Sequence, residues 1–221
     1  MKLTNHQLQK IESHLNFTGL THLDVRNEVI DHMATDIEKS MEETSLDFNG
    51  AFDTVIGKWK NELGGYSSFW LGVAWVGPKL MIQKAVQKIK NMYLRTILVA
   101  VVIMGLLYIL SLSNLSMVYE VLRLVIGSLY AVFLGVILFF HFRIRSSGYH
   151  TSFRFLYKTH AVGFAFMYLG FNPLIVGSIF ISAEQSDFIL LLFFHSLLIS
   201  NAYNFYDLYK SHFETQKYIV A

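Results

Sequence analysis

The chain has 221 residues, 53% of them hydrophobic and only 15% charged, with a formal net charge of +2 and a mean hydropathy of +0.41. Soluble domains carry about 25% charged residues, so the composition points to a membrane protein, and with no cysteine disulfides and thiolate metal sites are excluded. Charge is unevenly placed: residues 1–65 are net −5 and residues 66–221 net +7, the pattern of an acidic cytosolic head on an apolar body with basic ends facing anionic lipid, and not that of a nucleic-acid binder.

The polar opening residues Met1–Gln7 lack the apolar core of a signal peptide, so an internal segment is expected to direct insertion. Residues 1–65 read as a cytosolic domain of three amphipathic helices. Thr4 with Gln7 fits a capping box ahead of Leu8, Ile11 and Leu15, which share a face. Gly19 ends that helix. Thr21 with Asp24 opens the second, with Leu23, Ile30, Met33, Ile37 and Met41 as its apolar stripe, and Asp47 caps a third lined by Phe48, Ala51, Phe52, Val55, Ile56, Trp59 and Leu63. Three such helices bury a modest core, so the head is expected to lean on the membrane part or on a partner.

Residues 66–93 follow as linker and basic interfacial segment. Gly64-Gly65-Tyr66-Ser67-Ser68 reads as a flexible connection, Phe69, Trp70 and Trp75 suit a headgroup layer, and Pro78 starts a basic amphipathic stretch running to Arg95. Residues 94–209 are expected to hold four transmembrane helices at about Leu94–Leu112, Met117–Phe140, Tyr157–Ile181 and Asp187–Tyr206, since about 20 residues at 1.5 Å each cross roughly 30 Å of hydrocarbon. Lys79, Lys84, Lys88, Lys90 and Arg95 precede the first span. Arg143, Arg145, Arg154 and Lys158 separate the second and third, and Lys210 and Lys217 follow the fourth, in the tail 210–221. The loops Ser111–Ser116 and Glu184–Asp187 carry no base. All basic loops thus fall on one side, which puts both termini of a multi-pass membrane protein in the cytoplasm. The fold class is all-α: a three-helix cytosolic domain followed by a four-helix transmembrane bundle.

The run Leu23-Asp24-Val25-Arg26-Asn27-Glu28-Val29-Ile30-Asp31-His32-Met33, then Ile37-Glu38, Met41 and Phe48 to Trp59, resembles the HAAS-type small helical domain found at the N-terminus of bacterial membrane proteins. Its pattern is an acidic residue, a short gap, an acid–His pair and a further helix, and the likeness covers residues 5–63. The family's small residue before the third helix is replaced here by Glu43-Thr44-Ser45. The resemblance implies a bacterial inner-membrane protein with a signalling and interaction role, and the acidic face of the second helix would favour a basic partner surface, with Glu28, Asp31, His32, Glu38 and Glu42 as candidate partner-binding residues.

Glu28 and His32 share a face, but two ligands on one helix make a metal site only if His6, His14 or His22 joins them; no metal or cofactor is assigned. Glu120 and Arg123, one turn apart in span two, form a snorkelling pair or line a polar cavity. His160, Asn172, His195, Asn201 and Asn204 are further intramembrane polar residues. They hydrogen-bond between helices, or line a cavity for lipid or ion, or, for the histidines, ligate haem. Asn172-Pro173 is expected to break span three, and Gly163, Gly170 and Gly177 to mark close packing. No phosphate loop, nucleophile elbow or zinc-protease motif occurs. The expectation is a non-enzymatic membrane protein, a regulatory or signalling adaptor whose head binds a cytosolic or membrane protein partner. A small transporter or transporter subunit and a membrane redox or haem protein are the alternatives, and a homo-oligomer stays open.

Overall fold

The structure, a computed structural model, describes residues 2–72, 75–111, 115–176 and 185–215, and side chains there other than those of 110–119 and 176–191. The fold is all-α. Among the described residues the only extended pairing is one two-residue antiparallel bridge. The chain divides into two compact units. The first gathers the N-terminal residues through Ile89 together with Tyr149–Phe155, and the second spans Lys90–Gly148 and Leu156–Phe213.

In the first unit, helix α1 runs Asn5–Phe17 from a Thr4 N-cap, with Thr4 and Gln7 in a reciprocal capping box. Gly19 adopts φ +83° just past the helix end, a conformation only glycine holds without strain. Helix α2 is Leu23–Thr44 and α3 is Phe48–Leu63, the latter capped by the Asp47 carboxylate on the Gly50 amide. Their facing stripes bury Ile11, Leu15, Leu20, Val25, Val29, Met33, Ile37, Ala51, Phe52, Val55 and Leu63. The buried face of α2 therefore runs through Val25 and Val29, rotated from the expected Leu23 and Ile30, because β-branched valines at i and i+4 lie on the same side as Met33 and Ile37.

Two further local readings change. The N-cap of α2 is His22, which makes no side-chain capping bond; Thr21 and Asp24 do not form a box, since the Asp24 carboxylate is engaged elsewhere. Gly64–Gly65 is not a free linker. Strand β1 (Gly65–Tyr66) pairs with β2 (Gly77–Pro78), and the Lys79 amide donates to the Gly64 carbonyl at 2.9 Å. Helix α4, Lys79–Ser111, starts directly after Pro78, and its first turns bury Met81, Ile82, Ala85 and Ile89.

The second unit holds the rest of α4, α5 (Leu115–Ser146), most of α6 (Ser152–Gly170), the short α7 (Pro173–Val176) and α8 (Gln185–Glu214). Among the described residues two helices are long and apolar enough to cross a membrane, over Lys79–Ile109 and Glu120–Ser146. Only 17% and 28% of their most apolar 18-residue stretches are buried within the protein. The exposed residues include Leu94, Leu98, Val102 and Leu106 on α4 and Val121, Leu124, Val132 and Phe139 on α5. A soluble protein rarely leaves so much contiguous apolar surface in water. Of the expected third and fourth spans, the stretch 177–181 and the loop around Glu184 lie outside the described residues.

The buried hydroxyls and carboxamides described in this apolar unit find partners, as a low-dielectric interior demands, whereas the buried Arg123 Nε has none among the described residues. The buried Tyr157 and Tyr168 hydroxyls donate to the Ile137 and Leu198 carbonyls at 2.6 and 2.7 Å. The helix ending at Gly170 breaks where Asn172-Pro173 was expected to break it. The Asn172 Oδ1 accepts from the Leu174 amide at 2.9 Å, and its Nδ2 donates to the Gly127 carbonyl of α5 at 3.2 Å. Gly127 is the close-packing glycine here, since a Cβ on it would lie 2.9 Å from Asn172 Oδ1 and against Leu174. At Gly163 and Gly170 a Cβ would meet nothing within 4 Å, so those positions do not mark a helix contact, and Gly177 lies outside the described residues. Gly127→Ala is expected to push α7 off α5 and lower stability by about 1–3 kcal/mol. Thermal melting of the detergent-purified variant against the parent checks this; an unchanged midpoint would contradict the contact.

Candidate functional site

The candidate residues fall into two groups, one on the head and one on the second unit. On α2, Glu28 is not an open acid. It pairs with Lys84 of α4 and stands 4.0 Å from His32 Nε2. Asp31, His32 and Glu42 are exposed, while the Glu38 carboxylate accepts the Leu3 amide at 2.9 Å and ties down the N-terminal strand of chain. The neighbouring Asp36 accepts from the Trp59 indole at 3.1 Å, which fastens α3 to α2. The acidic face is thus a row of carboxylates of which half hold the head together. Among the described residues no group of three His, Asp or Glu converges as metal ligands would.

Asp24 lacks any local signal of its role. Its carboxylate accepts from the backbone amide of Ser152 at 2.8 Å and also from the Ser152 hydroxyl. The Leu23 amide donates to the His150 carbonyl at 2.9 Å. Thr151 Oγ1 accepts from the Arg154 amide at 3.0 Å, so the first turn of α6 is capped twice, once locally and once by a residue 128 positions earlier. A carboxylate there is favoured by the unpaired amides and the positive end of the helix dipole. His22 and Trp75 both set their rings edge-on to Phe155, with centroids 6.0 and 5.1 Å away. Burial lowers the His22 pKa below the ordinary 6.5; the Asp24 carboxylate opposes that shift and His150 adds to it.

On the second unit, Asn204 of α8 uses its whole carboxamide. Its Nδ2 donates to Thr96 Oγ1 of α4 at 2.7 Å and to Asn201 Oδ1 at 2.6 Å, and its Oδ1 accepts from Arg95 Nη2 at 2.5 Å. Ser200, one turn away, donates to the Thr96 carbonyl at 3.1 Å. His195 Nδ1 and the Tyr130 hydroxyl are 2.5 Å apart, both residues buried, with the Tyr130 ring against Tyr168. His160 folds back on its own helix, with Nδ1 2.9 Å from the Leu156 carbonyl and 3.0 Å from Thr159 Oγ1. Arg123 Nη1 lies 3.4 Å from both Glu120 oxygens, the i,i+3 pair that the spacing suggested. The structure therefore joins Asn201 to Asn204 and Glu120 to Arg123, and places Asn172, His195 and His160 in separate contacts with no shared centre. Sequence reasoning missed Thr96, Tyr130 and Ser200, none of which stands out in an apolar run.

No known protein family, curated protein or solved structure matches the chain.

Two outcomes follow for the head. Asp24→Ala strips two acceptors from Ser152 and is expected to cost about 1–3 kcal/mol and to raise amide exchange at the start of α6, read by hydrogen–deuterium exchange; unchanged protection would refute the trans cap. His22 in the folded head binds a proton less readily than in the unfolded chain. Its contribution is complete above pH 6.5 and is lost as pH falls through the lowered folded value. Thermal midpoints are therefore expected to fall between pH 7.5 and pH 5.5, and to fall less in His22→Gln.

Proposed function

We propose that the protein is a membrane-anchored regulatory or adaptor protein whose helical head takes a protein partner on the exposed part of the α2 acidic face. In this reading α4, α5, the α6–α7 segment and α8 are four spans of an inner-membrane bundle, with both termini in the cytoplasm as the basic loops require. The observation that carries the reading is the state of that face. Glu28 already accepts a lysine presented by an amphipathic helix, and the adjacent Asp31 and His32 point to solvent. A face that takes Lys84 is complementary to a basic partner surface, and charge complementarity of this kind steers encounter and selects partners. The likeness of residues 5–63 to HAAS-type domains supports the same role.

A transport path through the polar residues of the second unit is the competing reading. The hydrogen-bond inventory counts against it. Asn204 has its donors and acceptor committed between α4, Asn201 and Arg95, and such bonds hold helices together in lipid with about 0.6–2 kcal/mol each. A solute path along this seam would need the Asn204 carboxamide left open to the solute.

Charge reversal in the full chain tests the proposal. Wild type and the Asp31→Lys/Glu42→Lys variant are purified from their own membrane and the co-purifying proteins quantified by mass spectrometry. Loss of a stoichiometric partner in the variant, with equal expression and melting, is the expected result. A partner retained at wild-type level by the variant would move the function to the spans.

A further inference from the structure

Arg95 is the one guanidinium held at the start of the exposed apolar stretch of α4, and its surroundings are unusually ordered for a flanking cation. Its Nη2 donates to Asn204 Oδ1 at 2.5 Å and reaches Asp207 Oδ2 at 3.5 Å. Its plane lies over the Tyr203 ring, with Cζ 4.4 Å from the ring centroid. An arginine carries five N–H donors; the two bonds use Nη2, and among the described residues Nε and Nη1 have no acceptor, which leaves three donors. The side chain is 38% exposed, so those donors are open to the surroundings and not sealed in the protein. On one side lie the outward-facing Leu94 and Leu98, and on the other the half-exposed rings of Tyr203 and Tyr206, 6.2 Å apart. Hydrocarbon offers no acceptor to an open N–H, and each unsatisfied group there is costly. The site is thus a fixed cation with spare donors, an aromatic wall and an apolar track running away from it.

We infer that Arg95, with Tyr203 and Tyr206, forms a binding site for the phosphate of a membrane phospholipid, the acyl chains lying along Leu94 and Leu98. The inference rests on the reading that α4 crosses a bilayer. Three features select this ligand chemistry. A phosphate oxyanion matches a guanidinium better than an ammonium headgroup does, through charge-assisted hydrogen bonds. Asn204 and Tyr203 hold the guanidinium in place, so little side-chain entropy is lost on binding. The apolar track beside the donors has no use for a free inorganic anion. Asp207, at its 3.5 Å separation, orients the guanidinium and disfavours a second negative charge on the same headgroup, so a phosphodiester is preferred over a phosphomonoester.

The test uses the full chain, delipidated in detergent and titrated with phosphatidylglycerol, with bound lipid counted by native mass spectrometry. Parallel arms contain inorganic phosphate and a diacylglycerol of the same chains. One lipid is expected to bind wild type, with affinity reduced about tenfold or more in Arg95→Gln and several-fold in Tyr203→Leu, which leaves the Arg95–Asn204 bond in place should Arg95→Gln unfold. Diacylglycerol should not occupy the site and inorganic phosphate should not compete. Equal lipid retention by wild type and Tyr203→Leu, or binding of diacylglycerol equal to that of phosphatidylglycerol, would overturn the inference. Displacement of the lipid by millimolar phosphate would assign the site to the free anion instead and overturn it equally. Extraction of membranes with alkaline carbonate separates the two levels: wild type washed off the membrane defeats the spanning reading, whereas wild type retained, with lipid counts indifferent to the variants, defeats the lipid site alone.

Discussion

The carboxamide of Asn204 is the interaction on which the second unit turns. It makes three contacts, with Thr96 and Arg95 on α4 and with Asn201 one turn back on α8, and the same guanidinium also meets Tyr203 and Asp207 of α8. Apolar helices surrounded by lipid gain no hydrophobic free energy by touching one another, so packing and a few buried hydrogen bonds must decide which faces pair. The bond from Ser200 to the Thr96 carbonyl lies one turn further along the same seam. Tyr130 with His195 and Tyr168 with the Leu198 carbonyl repeat the device on other faces of α8. An apolar helix 30 residues long acquires in this way a defined rotation about its own axis.

The first unit follows a different rule. Its core is an ordinary apolar one, built by the stripes of α1, α2 and α3, and its polar contacts cap helices or fasten one segment to another. Glu38 holds Leu3, Asp36 holds Trp59, Asp47 caps α3 and Asp24 caps α6. Carboxylates that look like a binding face in the sequence are in good part fasteners. What is left to face solvent, chiefly Asp31 and His32, is smaller than the net charge of the segment suggests.

The helical character of the chain and the local caps were legible because they are written within four residues: Thr4 with Gln7, Asp47 with Gly50, Asn172 ahead of Pro173, Glu120 with Arg123. Long-range contacts were not. Nothing near Asp24 announces that its acceptors serve Ser152, and a capping box with Thr21 is the natural reading until the fold brings the two segments together. Thr96 and Ser200 are unremarkable residues in apolar runs, and their value arises only from a pairing 104 residues apart in sequence. Gly65 read as flexible because glycine usually is, yet its backbone pairs with Pro78. Among glycines, Gly163 and Gly170 had the repeat, whereas Gly127, with no repeat, has the neighbours.

The trans cap on α6 has a consequence for biosynthesis. The ribosome delivers Asp24 some 128 residues before Ser152, which at about 5–20 residues per second is an interval on the order of ten seconds. Throughout that time the Asp24 carboxylate of α2 has no Ser152 to cap, while α4 and α5 are being synthesised. The head is finished only when the chain returns after α5 and presents Tyr149–Phe155. Completion of the first unit therefore reports that two apolar helices have already been made, and a chain stalled between them keeps a first unit that lacks Tyr149–Phe155.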